Sequence, residues 1–103
     1  MIAVTNDMPS NTQCEVAEYH TLPEQLVKLS EECHELGAEA CRAAVARELD
    51  RSGLVTEIAD VLNVIEQVMY LAEIPAGIVN SQRVYKQTRE LSRIREGYYE
   101  SAK

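Results

Sequence analysis

Tryptophan and phenylalanine are missing from this sequence, and its five aromatic residues are all tyrosine. Glycine and proline are scarce, with four and three copies. What remains is aliphatic, Ala-rich and Glu-rich, a composition that favours an all-α fold. Positive charge is also short: 10 Lys and Arg stand against 17 Asp and Glu, a net charge of −7. Such a surface repels polyphosphate chains and argues against a broad interface with a nucleic acid polymer. A small phosphorylated ligand stays compatible with it, provided a cation is bound first.

Long apolar runs are absent too, so no membrane span is expected. The opening "MIAVTNDMPSNTQ" has neither a basic start nor an apolar h-region, which speaks against a signal peptide. The three cysteines are an odd number. Cys33 and Cys41 would stand about 12 Å apart along one helix, too far to bridge. With no CxxC pair, the expectation is reduced thiols in a cytoplasmic protein without zinc. A chain of 103 residues makes one small domain with a modest core, for which subunit association is a natural supplement.

Residues 1–20 show no sustained periodicity and carry turn formers such as "NDMPSN", so they read as an irregular arm. "TLPE" at 21–24 is a helix start, with Thr21 as cap, Pro23 in the first turn and Glu24 closing a capping box. Leu22, Leu26, Leu29, Cys33, Leu36 and Ala40 then recur at alternating spacings of four and three, a helix-packing seam that puts Cys33 in the core. This helix is expected to reach Glu48. "LDRSGL" interrupts it, with Ser52 as the next cap and Gly53 as a breaker. A second helix repeats the spacing through Leu54, Ile58, Val61, Ile65, Val68 and Ala72, widened by Val55, Leu62 and Met69 into the most buried element. Pro75 ends it. A third, basic helix runs over Ala76–Arg95 and stops at Gly97. The division expected is an arm at 1–20, an all-α domain at 21–97 and a tail at 98–103, with no strand anywhere.

Acidic residues fall in two blocks, "EECHE" at 31–35 and "EIAD" at 57–60. With Val61 at zero and about 100° per residue, Glu57 lies at about −40°, inside the apolar arc of its helix, and Asp60 at about −100°, on the rim. A buried, ionised Glu costs several kcal/mol unless something compensates it, so Glu57 is the anomaly. On the preceding helix Glu32, Glu35 and Glu39 form one ridge beside the seam, and Glu31 lies on the far side of Glu35. Glu32 with Glu35, and Glu57 with Asp60, are pairs three residues apart that share a helix face. Antiparallel packing, favoured by the short connection, would bring the pairs together. Four converging carboxylates raise each other's pKa unless a hard divalent cation joins them, and Mg²⁺ or Mn²⁺ prefers such all-oxygen ligands.

These two blocks resemble the EExxE…ExxD signature of the MazG-like all-α nucleotide pyrophosphohydrolases, over roughly residues 22–95. The resemblance implies a Mg²⁺-dependent enzyme that splits a nucleoside triphosphate into the monophosphate and pyrophosphate. It implies Glu32, Glu35, Glu57 and Asp60 as metal ligands, and Glu31 as the leading acid that orients water or supports a ligand. Lys86, and Arg89 one turn on, match a cationic segment that contacts phosphates in relatives. "VLN" follows Asp60 where phosphoribosyl-ATP members carry Tyr-His, which argues against that branch. The base-clamping aromatics of dCTP-type members have no match here. Ordinary solvated surface is the competing reading for each acid pair taken alone, and for Lys86 and Arg89. Glu39, unmatched by the motif, reads as a surface acid.

Two further readings belong to other classes. Glu31 and His34 form an ExxH, as in carboxylate-bridged di-iron bundles, but such sites need two ExxH motifs. A non-catalytic helical module could instead present its acids to a basic partner. In every case helices this thin call for at least a homodimer, or a homotetramer, with a four-helix core contributed by two subunits.

Overall fold

The computed structural model describes residues 9–98 and residue 100. Four α-helices occur among them: α1 (Asn11–Tyr19), α2 (Leu22–Val45), α3 (Arg51–Leu71) and α4 (Ala76–Arg95). The fold is all-α, and no strand occurs among the described residues. The chain divides into two compact units, one spanning Pro9–Glu73 and one that holds α4.

Within Pro9–Glu73, α3 is the centre, with α1 and α2 both packed on it. Facing residues fix the direction of the α2–α3 pair. Gln25 meets Gln67, Glu32 gathers with Glu57, and Glu39 lies against Gly53. Positions fall along α2 as they rise along α3, so the helices are antiparallel. The core is small: Ala17, Val61, Val64 and Val68 are its buried apolar residues. Burying each of these valines contributes about 1.5–3 kcal/mol. α3 supplies most of them and is the most buried element, although Val55 is 65% exposed.

Capping explains the boundaries. At α2 the box forms as expected: the Glu24 N–H donates to Thr21 Oγ1 at 3.3 Å and the Thr21 N–H donates to Glu24 Oε1 at 3.1 Å. The Thr21 hydroxyl and N–H also hold the Glu24 carboxyl below its usual range. At α3 the cap is Asp50, not Ser52; Asp50 Oδ1 accepts from the Gly53 N–H at 3.1 Å and from the Ser52 hydroxyl at 2.8 Å. Gly53 therefore lies inside α3, where a Cβ would run into the Glu39 carboxylate. α2 ends at Val45, short of Glu48. α4 has the expected bounds and stops at Gly97, whose φ of +74° is the left-handed turn that glycine takes freely.

Residues 11–19, expected to be irregular, form α1. Ser10 caps it by accepting from the Gln13 N–H at 3.1 Å. Its single buried side chain is Ala17, and polar contacts dock it on α3: the Tyr70 hydroxyl donates to Glu18 Oε1 at 2.5 Å, and Gln13 Nε2 donates to Glu66 Oε1 at 3.1 Å. Such docking leaves no apolar period in the sequence. Of the expected arm, residues 1–8 lie outside the described residues, as do 99 and 101–103 of the tail.

Candidate metal centre

The face that α2 turns to α3 is Leu22, Gln25, Leu29, Glu32, Leu36, Glu39 and Ala43; the rest of the helix is exposed. Half of the expected seam is therefore correct. Leu26, Cys33 and Ala40 point to solvent, and Gln25, Glu32 and Glu39 take their place one residue earlier. The cause is across the interface, where α3 offers Gln67, Glu57 and Gly53 instead of an apolar stripe. Gln25 Nε2 donates to Gln67 Oε1. Glu39 is no ordinary surface acid: its side chain is 13% exposed, and the Arg42 Nη2 donates to Oε2 at 2.6 Å.

At the middle of this polar column three carboxylates converge. Glu32 and Glu35 from α2 and Glu57 from α3 each offer an oxygen within 4.8 Å of the others. Glu32 is 8% exposed at its side chain. Its Oε1 takes the Lys28 ammonium at 3.0 Å, while its Oε2, like Glu57 Oε2, is buried with no hydrogen-bond partner. Buried carboxylate oxygens are normally satisfied, because an unpaired one costs its full desolvation penalty. At an effective dielectric near 20, Glu32 and Glu57 would repel by about 3 kcal/mol if both were ionised. The Glu35 carboxyl is raised above its usual range, first by the Glu32 charge, then by partial desolvation and the Glu57 charge. The donor set is all oxygen, hard and anionic, and the Lys28 ammonium on Glu32 Oε1 leaves both Oε2 atoms without a hydrogen-bond partner. It fits Mg²⁺ or Mn²⁺.

Asp60, one turn beyond Glu57, is half-buried and does not join the triad. It lines an adjoining groove of about 550 Å³ together with Glu32, Lys28, Gln25, Asn63 and Gln67. Glu31 is exposed beside the site. Lys86 and Arg89 are exposed on α4, in the other unit, and the Arg89 guanidinium lies over the Tyr85 ring at 5.8 Å. His34 is exposed and outside the cluster, its Nδ1–H donating to the Ser30 carbonyl at 2.6 Å.

Sequence reasoning did not pick out Lys28 or the amides. Lys28 sits one turn before Glu32, a spacing that signals an ion pair. Its ammonium is held above the usual lysine range, chiefly by the hydrogen bond and charge of Glu32, with smaller contributions from Glu31 and Glu35. The amides form a relay: Gln25 donates to Gln67, the Gln67 Nε2 donates to Gln13 Oε1 at 2.9 Å, and Gln13 Nε2 donates to the Asn63 carbonyl at 3.2 Å. No helix among the described residues is long and apolar enough to cross a membrane. Comparison with protein-family models, with curated proteins and with solved structures finds no match for this chain.

Proposed function

We propose that this protein is a Mg²⁺-dependent nucleoside triphosphate pyrophosphohydrolase, releasing the monophosphate and pyrophosphate from an NTP or dNTP. The observation that carries the reading is the pair of buried, unpartnered carboxylate oxygens on Glu32 and Glu57, brought from two helices beside Glu35. Glu32, Glu35 and Glu57 would hold the metal, with Asp60 joining from the groove side. The bound ion would neutralise phosphate charge and polarise a phosphoryl oxygen.

The chain's own groups cover the other tasks. The groove volume of about 550 Å³ falls in the range of small-molecule sites, roughly 300–1,000 Å³. Asn63 places an exposed amide on its wall, suited to a base or sugar edge, beside Gln25 and Gln67, which the relay holds. Glu31, exposed one residue before Glu32, is the acid to which the resemblance gives the orientation of water. The resemblance adds Lys86 and Arg89 as phosphate contacts. A second copy of the chain completes the core in this reading, since Leu26, Val27 and Val55 stay 48%, 61% and 65% exposed. A dimer or tetramer mass is expected in solution, in a cytoplasmic protein with free thiols.

The test is pyrophosphate release from the common ribo- and deoxyribonucleoside triphosphates with Mg²⁺. Turnover that disappears on chelation and in Glu57→Gln supports the reading. Absence of turnover on every triphosphate contradicts it.

A further inference from the structure

Lys28 stands where the acid cluster meets the groove. Its ammonium pairs with Glu32 at 3.0 Å, and its side chain, half exposed, lines the groove with Asp60 and Asn63. The pair is unequal. Glu32 is buried and held by the α2–α3 interface, whereas Lys28 is a long, flexible stem with one ionic contact. Arg42, the other cation near the column, is gripped by Glu39 through Nε at 3.3 Å and Nη2 at 2.6 Å, and it does not line the groove. A cation that took up the Glu32 carboxylate would repel the ammonium beside it. The half-exposed Lys28 side chain already lines the groove, where an anionic group of a bound nucleotide would receive the displaced ammonium.

We propose that Lys28 is an exchangeable counter-ion: it neutralises Glu32 in the metal-free protein and turns to a ligand phosphate in the groove when a divalent cation binds Glu32. This rests on the metal reading above and assigns a phosphate contact within the Pro9–Glu73 unit. Lys28 thereby opposes metal binding alone and favours binding of metal and phosphate together. A purely structural lysine would shift neither affinity in this opposed way.

The experiment titrates the full-length protein with Mn²⁺ alone, then titrates the Mn²⁺-loaded protein with tripolyphosphate, for wild type, Lys28→Met and Lys28→Arg. Lys28→Met should bind Mn²⁺ roughly tenfold tighter, since a like charge has left the site. It should bind tripolyphosphate roughly tenfold weaker, with Lys28→Arg close to wild type in both. Circular dichroism establishes that each variant is folded, and Lys28→Gln serves if Lys28→Met is not. Unchanged Mn²⁺ affinity, or undiminished tripolyphosphate affinity, in a folded neutral variant overturns the exchange while leaving the metal site standing. Wild type that binds no Mn²⁺ overturns the metal reading itself, and the exchange with it.

Discussion

Glu57 on α3 and Glu32 on α2 each keep one buried oxygen, Oε2, without a hydrogen-bond partner, in a cluster where the carboxylates approach within 4.8 Å. Folding alone does not favour this arrangement, because it places like charges together out of water. The heptad positions occupied by Gln25, Glu32 and Glu39 could hold leucines, as Leu22, Leu29 and Leu36 do at the alternate positions. In the proposed reading this polar column, at the centre of a small core, is where the metal binds.

Replacing Glu57 by Gln removes a charge and supplies a donor. The metal-free variant should melt roughly 5 °C higher than wild type, from relief of a repulsion of about 3 kcal/mol discounted for screening. It should gain nothing from Mg²⁺, where wild type melts higher. Thermal melts by circular dichroism with and without Mg²⁺ check both. Hydrolysis, where wild type shows it, should fall at least a hundredfold, roughly the cost of losing a ligand or positioned charge.

Metal affinity should depend on pH through Glu35. Its carboxyl is raised above 4.5 by the charges of Glu32 and Glu57 and by desolvation, so the metal must displace a proton as pH falls into that raised range. Mn²⁺ affinity should weaken as pH falls from neutral toward that value. Stability of the metal-free protein runs the other way. A raised folded pKa favours the native state below it, and that contribution is lost as pH rises through it. In Glu35→Gln this acidic gain should vanish, which melts across a pH series would reveal.

Tyr70 anchors α1 through its hydroxyl bond to Glu18, which raises its ionisation from 10.0 to about 12. The folded pKa is raised, so this contribution is complete below pH 10 and is lost as pH climbs from about 10 to about 12. Tyr70→Phe should abolish this alkaline step and speed proteolytic cleavage within 11–19, while α2 and α3 stay protected. Cleavage no faster than in wild type would show that Gln13 and Ala17 hold α1 unaided.

Much of the outline was legible in the sequence, for local reasons. The Thr21–Glu24 box, Pro75 and Gly97 act within a few residues of themselves, so α4 and the start of α2 were readable. Glu57 was readable because an acid inside an apolar arc breaks a periodic pattern. The facing column of α2 was not. A seam one residue to either side has the same period, and the choice rests on what α3 presents, which is Gln67, Glu57 and Gly53. Cys33 and Glu39 consequently exchanged roles, the first exposed and the second largely covered. α1 was missed because its docking is carried by Gln13, Glu18 and one alanine. Lys28 went unremarked because it belongs to a helix face that is charged on both sides.

The claim on which the rest depends is that Glu32, Glu35 and Glu57 are metal ligands. Its most direct test is a titration of wild type and Glu57→Gln with Mn²⁺, following the free ion by its paramagnetic resonance signal at neutral pH. Wild type should bind at least one ion per chain saturably, and the variant at least tenfold more weakly, the usual cost of disrupting a ligand set. Free Mn²⁺ that tracks total Mn²⁺ in wild type, or equal binding by a folded Glu57→Gln, would contradict it.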